Sequence, residues 1–184
     1  MRIVGGKHKR RIIDAPEGPD TRPTADRVRE ALFNILEHGV GFDMEGVVAL
    51  DLFAGSGGLG IEALSRGAAQ VIFVDNAPTA LAVVRANLAS LGEDGNGVVL
   101  RRDATRLGAL PPGVAPALLV FLDPPYNKGL VVPTLAAARA NGWLAPDAVC
   151  VVETATDEEI DWPAGFEVLG ERAYGKTKLW VMQA

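Results

Sequence analysis

Four residues past the middle of the chain, Asp123-Pro124-Pro125-Tyr126, concentrate unusual chemistry in one place. The two prolines fix the backbone and remove two N–H donors. What remains is a rigid corner offering the Asp123 carboxylate, the Pro124 carbonyl and the Tyr126 ring. Two acceptors beside an aromatic face suit a flat ring that carries an NH2 group. The ring would stack on Tyr126, a contact worth about 1–3 kcal/mol for nucleic-acid bases. The amino hydrogens would point at the two acceptors. A Pro-Pro turn can be merely structural. Here it ends an apolar run, LLVFL, beside a glycine-rich loop of the kind that holds nucleotides, and that setting favours the chemical reading.

That loop is Asp51-Leu-Phe53-Ala54-Gly55-Ser56-Gly57-Gly58-Leu-Gly60. Gly55, Gly57 and Gly60 fit the G-x-G-x-x-G pattern, in which glycines permit a sharp turn and a close approach of ligand to backbone. The N–H groups of the helix behind it face that ligand. The same spacing also reads as a plain strand-to-helix turn. Asp75 follows Gly55 by twenty residues and ends the next apolar run. An acid there can accept both hydrogen bonds of a ribose diol, or cap the helix that starts near Pro78. Asp103, after VVLRR, could accept from an adenine amino group or cap its own loop.

All these residues sit just after predicted strands, which the rest of the pattern must hold in place. Strands are expected at Val47–Phe53, Gln70–Asp75, Val98–Arg101, Ala117–Leu122, Ala148–Glu153, Phe166–Ala173 and Lys178–Gln183. Helices are expected from Thr24 to Gly39, from the glycine loop to Arg66-Gly67, from Pro78 to Gly92, and over Leu130–Ala140. Alternation of this kind implies an α/β fold: a doubly wound, Rossmann-like seven-stranded sheet, mostly parallel. The last two strands have too little chain between them for a crossover, so the last strand is antiparallel. VVALDLF, VIFVD and LLVFLD are apolar throughout, as a sheet covered on both faces requires. Ahead of it all, residues 2–4 and 11–13 predict a small β-hairpin, and 15–23 a Pro- and Gly-rich loop.

The 184 residues are 48% hydrophobic and 22% charged, enough for one globular domain over 1–184 and unlike a disordered chain. No stretch is apolar enough to span a bilayer, and none resembles a secretory signal. One cysteine excludes an internal disulfide and a Cys-cluster metal site, and two histidines, His8 and His38, leave little for a His-based metal site or a Ser-His-Asp triad, so no metal is expected. The net charge of −5 is unevenly spread. Residues 1–11 hold five bases and no acid, which leaves 13 bases against 23 acids elsewhere. A basic head on an acidic body suits a local grip on a polyanion; it suits a solvated hairpin equally well.

The glycine loop, Asp75 and DPPY together resemble the S-adenosylmethionine-dependent methyltransferases that act on amino groups. The basic hairpin, the run TRPTADRVREALFNIL (Thr21–Leu36) and the terminal AYGKTKLWV narrow the match. With them the whole chain is similar to the bacterial 16S ribosomal RNA guanine-N2 methyltransferases. The resemblance implies S-adenosyl-L-methionine as cofactor. Asp51, Phe53, Ala54, Gly55, Ser56 and Gly57 would hold its methionine part, Asp75 and Asn76 the ribose, and Asp103 with Ala104 the adenine. Thr24 and Arg29 would close over it. Asp123, Pro124, Pro125 and Tyr126 would hold the target guanine. Residues 1–23 would form an RNA-binding extension, with Lys7, His8, Lys9, Arg10, Arg11 and Arg22 on the phosphates. The implied partner is 16S rRNA within a partly or fully assembled small subunit, in the cytoplasm, with no membrane involved.

Three rival readings use parts of the same pattern. A nicotinamide-dependent oxidoreductase explains G-x-G-x-x-G and Asp75 but leaves DPPY idle. An adenine-N6 DNA methyltransferase or a protein-glutamine methyltransferase fits DPPY, though a DNA enzyme usually needs a recognition domain that this length does not supply. A non-enzymatic RNA-binding assembly factor fits the basic head but not the set of acids. Cys150, His38, Trp143, Trp162 and Trp180 read as packing or helix-end residues without chemistry.

Overall fold

A computed structural model describes residues 1–15 and 23–184, excluding the side chains of residues 23–25. Seven strands form one sheet: β1 (Val48–Leu52), β2 (Gln70–Asp75), β3 (Gly97–Arg101), β4 (Ala117–Leu122), β5 (Leu144–Ala155), β6 (Glu167–Tyr174) and β7 (Thr177–Gln183). Their order is β3-β2-β1-β4-β5-β7-β6. β1 to β5 pair in parallel, and β7 runs antiparallel to both β5 and β6. The order reverses between β1 and β4, the switch point at which such sheets open a ligand crevice.

Strand alternation sends two apolar sets to two faces. Ala49, Val71, Phe73, Leu119, Phe121 and Val151 pack under α1 (Pro23–Asn34), α2 (Gly58–Ser65) and α3 (Pro78–Leu91). Phe33 of α1 meets Phe121 with ring centres 5.6 Å apart. Leu50, Leu52, Ile72, Val74, Val120, Cys150 and Val152 pack under α4 (Val131–Ala140) and Trp143. Burial on both faces is why these strands carry almost no polar residue before their last position.

Three local expectations are corrected. The N-terminal hairpin has a single bridge, Arg2 to Ile12, in place of two three-residue strands. Ile3, Lys9, Arg10, Arg11 and Ile13 donate their N–H groups within the hairpin, and four others turn to the body of the protein. Val4 and Gly5 donate N–H to the buried Glu62 carboxylate (2.9 and 2.7 Å), Lys7 N–H to the Ser65 carbonyl (2.7 Å) and His8 N–H to Ser65 Oγ (2.9 Å). The first helix does not run regularly to Gly39: it gives way at Ile35 to one wider turn, Ile35–Gly39. β5 starts at Leu144, before Pro146, because the chain bulges between its pairings Ala117–Leu144 and Leu119–Val149. Asp147 takes a left-handed φ of +60° there.

The hairpin lies along the outside of α2, and its fit demands glycine. A Cβ on Gly6 (φ +70°) would stand 1.8 Å from the Ser65 carbonyl oxygen, and one on Gly5 2.4 Å from the Arg66 guanidinium. Beneath it runs a buried ion network. Glu62 pairs with Arg66 at 2.9 Å and lies 3.6 Å from Arg29, and Arg66 reaches Glu37 at 2.7 Å.

Candidate active site

The site assembles at the C-terminal ends of β1, β2, β4 and β5. Past β1 the backbone coils tightly: Phe53, Gly55 and Gly57 all have positive φ (63°, 55° and 79°). Phe53 accepts a conformation that L side chains avoid, a strain commonly found where backbone is shaped for a ligand. Ala54 N–H is held by the Val74 carbonyl at 3.0 Å, which pins the loop to β2. Gly60 does two things. Its N–H donates to Asp51 Oδ2 at 2.9 Å, and a Cβ there would strike Phe73 and Val71, so α2 can lie against β2 only with glycine here.

Asp75 accepts Gly55 N–H on Oδ2 (2.9 Å) and Ala77 N–H on Oδ1 (2.8 Å). It therefore braces the glycine loop and the entry to α3 at once. Both oxygens keep a lone-pair direction for a further donor. Asn76 is exposed beside it, and its carbonyl accepts Arg101 Nε–H at 3.3 Å. Asp103 accepts the Thr105 hydroxyl (2.7 Å) and N–H (2.9 Å) on one oxygen, Oδ1. Those bonds, the hydroxyl's first, lower its carboxyl below the ordinary value. Ala104 behind it is buried. Capping and an outward-facing oxygen thus coexist at Asp103.

Asp123 is exposed just past the end of β4, Pro124 is buried and Pro125 is exposed. The Asp123 carboxyl is held well above its ordinary range, first by desolvation among the surrounding protein atoms, then by Glu153 and Asp51. Burial likewise raises Asp51 to about 7, with a contribution from Asp75 and against the Gly60 hydrogen bond. The Tyr126 hydroxyl donates to Glu153 Oε1 and lies 2.9 Å from Thr177 Oγ1. Desolvation, then the Glu153 contact, raises the phenol. Burial raises Glu153 itself, against its bonds to Tyr126 and Thr177.

The donor set is therefore a cluster of acids around a strained glycine loop, with Asp51, Asp123 and Glu153 desolvated. A ligand that is cationic, and that offers hydroxyls toward Asp75, complements it. The amine and sulfonium of S-adenosylmethionine fit that requirement, and its ribose fits Asp75. Such a cofactor, when bound, supplies an electrophilic methyl group.

The predicted basic tip does not join this cluster. Lys7 and His8 both pair with Glu93, at 2.7 and 2.6 Å, and Arg11 donates to the Ser90 carbonyl at 2.7 Å. Glu93 is buried, which opposes ionisation, but Lys7, His8 and Asn96 overcome this and bring it down to about 2. Lys9 and Arg10 remain exposed at the tip. Because the tip sits on the last residues of α2 and α3, it lies at the opposite sheet edge from the glycine loop. Arg29 is almost sealed and donates to Met1 Sδ, the Arg2 carbonyl and Asp26, so it ties α1 to the hairpin. Arg22 and the side chain of Thr24 fall outside the described residues. Sequence reasoning missed Glu153 and Thr177. The available signal was a lone acid ending the buried run AVCVV, in the same strand-end position as Asp75 and Asp123.

Comparison with known proteins decides the family. The family model described as Conserved hypothetical protein 95 matches residues 1–183. Ribosomal RNA small subunit methyltransferase D of Escherichia coli K12 is 37% identical over 177 residues, covering 96% of this chain and 86% of that protein. The chain belongs to the ribosomal RNA small subunit methyltransferase D family. The protein of that name from Haemophilus influenzae is 33% identical over 176 residues, covering 95% of this chain and 89% of its own length. The solved structure of Escherichia coli yhhF superposes with a TM-score of 0.82 at 35% identity, over 100% of this chain and 97% of that one. A conserved hypothetical protein of Streptococcus pyogenes gives 0.70 at 33% identity, over 84% and 94%. The family-level resemblance and the fold class expected from the sequence hold. Among the described residues no helix is long and apolar enough to cross a membrane.

Proposed function

We propose that this chain transfers a methyl group from S-adenosyl-L-methionine to the exocyclic N2 amino group of a guanine in 16S rRNA, acting in the cytoplasm on a partly or fully assembled small subunit. The observation that carries this reading is the juxtaposition of Asp123, the Pro124 carbonyl and Tyr126 with the glycine loop of the neighbouring strand. Leu52 of β1 pairs with Leu122 of β4, so the two loops leave the sheet side by side. The names of the relatives support RNA as substrate and weigh against the nicotinamide reading.

The residues present can perform the necessary steps. The N2 lone pair of guanine is delocalised into its ring, so the amine is a weak nucleophile. Asp123 and the Pro124 carbonyl accept its two hydrogens, which favours a pyramidal nitrogen with a localised pair. Tyr126 fixes the plane of the base, and positioning of this kind contributes a large effective molarity. The raised Asp123 carboxyl is suited to hold a proton shed at N2, on Oδ1 or Oδ2. Asp51 and the Phe53–Gly57 loop would hold the methionine part, Asp75 and Asn76 the ribose, and Asp103 with Ala104 the adenine. Lys9, Arg10 and Arg11 would meet phosphates, with Lys7, His8 and Arg22 alongside. The base must leave its stack to enter.

The test uses small subunits from cells that lack the protein. They are incubated with the enzyme and labelled S-adenosylmethionine, and the RNA is digested. Label in N2-methylguanosine, abolished in Asp123→Ala, is expected. Label in an adenosine, or none on RNA despite demonstrated cofactor binding, overturns the substrate assignment.

A further inference from the structure

Glu153 is an acid that the reaction as described does not use. Sheet register explains its position. Leu122 pairs with Val152, so Asp123 and Glu153 are the next residues on adjacent strands and point to the same face. The Tyr126 hydroxyl is bonded to Glu153 and lies 2.9 Å from Thr177 Oγ1, at the start of β7. The ring of Tyr126 belongs to a loop, yet its far end is fastened to two strands of the central sheet.

Resting on the reading of Tyr126 as the base platform, we propose that Glu153 and Thr177 are positioning residues that clamp the Tyr126 hydroxyl and so fix the plane on which the target base stacks. A loop aromatic with a free tip must be ordered each time a base enters, and that ordering is lost from binding. A ring fastened to rigid strands is ordered beforehand. An apolar neighbour could pack against the ring but could not hold its hydroxyl. The carboxylate has a second effect. Its charge beside Asp123 raises the affinity of the ionised Asp123 carboxylate for a proton.

Steady-state methylation of small subunits by wild type, Tyr126→Phe, Glu153→Ala, their double mutant and Glu153→Gln tests the clamp, with thermal stability and S-adenosylhomocysteine affinity measured in parallel. Tyr126→Phe and Glu153→Ala should each lower kcat/KM for RNA by about tenfold to a hundredfold while cofactor affinity holds. The double mutant should be no worse than the worse single mutant, because both remove one interaction. Glu153→Gln keeps an acceptor oxygen and should restore most of the rate. The acid limb of its pH profile should move to lower pH, since loss of the like charge lets Asp123 ionise more readily. Wild-type kcat/KM in both single mutants, or losses that multiply in the double mutant, overturn the proposal. A lowered melting temperature alone, with kcat/KM intact, also overturns it. Should Glu153→Ala fail to fold, Tyr126→Phe, which deletes only the hydroxyl, still decides. A wild-type protein that binds cofactor but methylates no guanine is a different result: it removes the functional reading, and this inference with it.

Discussion

Asp51 is the residue at which function and stability should pull apart most measurably. It is 2% exposed, accepts Gly60 N–H at 2.9 Å, and has its carboxyl raised from 3.8 to about 7 by burial and by Asp75. A pKa raised on folding means the folded chain binds this proton more tightly than the unfolded chain does. The contribution to stability is then greatest below about pH 3.8, falls as pH rises, and levels off above about pH 7. A change of about three pH units corresponds to about 4 kcal/mol against the folded state at pH 8. Asp51→Asn removes the charge and keeps an oxygen for Gly60. Its NH2 group, buried without a partner, costs about 1–3 kcal/mol. The net expectation is a gain of about 2 kcal/mol at pH 8, or about 4–8 °C in melting temperature for a domain of this size. At pH 4 the gain should vanish or reverse, because the wild-type carboxyl is then protonated. Thermal unfolding of both proteins from pH 4 to 8 measures this, and S-adenosylhomocysteine titration should show affinity lost by about tenfold or more. Parallel melting curves across that pH range would refute the reasoning, since they would mean that Asp51 is not held protonated by its surroundings.

Gly6→Ala should lift the hairpin off α2, because its Cβ has no room beside Ser65 and its φ is positive; a loss of about 1–3 kcal/mol is expected, read from the denaturant midpoint together with faster exchange of the Lys7 and His8 amides. Glu93 carries the opposite pH sign to Asp51: its lowered carboxyl contributes stability above about pH 4.5 that is lost as pH falls toward 2, so the same amides should lose protection in that window. Lys9→Gln with Arg10→Gln should weaken RNA binding and flatten its dependence on log salt by about 1.4–1.8, while S-adenosylhomocysteine affinity is unchanged; an unaltered slope would place the phosphates elsewhere.

The sheet and the strand-end residues were legible because burial on both faces leaves a plain signature. Runs such as VIFVD and LLVFLD admit polar residues only where the strand ends, and those residues are the candidate chemistry. The glycines were legible as a loop, though the double duty of Gly60 needed the distance to Phe73. Glu153 carried no motif, and only the β4–β5 register brings it beside Asp123. The resemblance implied that Arg29 closes over the cofactor. The buried charge of Glu62, thirty-three residues on, accounts for its turning toward the hairpin instead. Likewise the basic tip looked free until Glu93, from the end of α3, was found beneath Lys7 and His8. Long-range pairing of charges is the part of the design that local pattern does not carry.

Helix α2 acts as a gauge. Eight residues at about 1.5 Å each span about 12 Å. The strained loop is at one end and the charged tip at the other, and Gly5 and Gly6 leave no slack between the tip and the helix. The separation between the two is thus a fixed length. A polyanion whose backbone met the tip would be held at a set distance from the cofactor loop. For such a partner, discrimination would rest on shape measured against a rigid rod, with no base-by-base reading around the target.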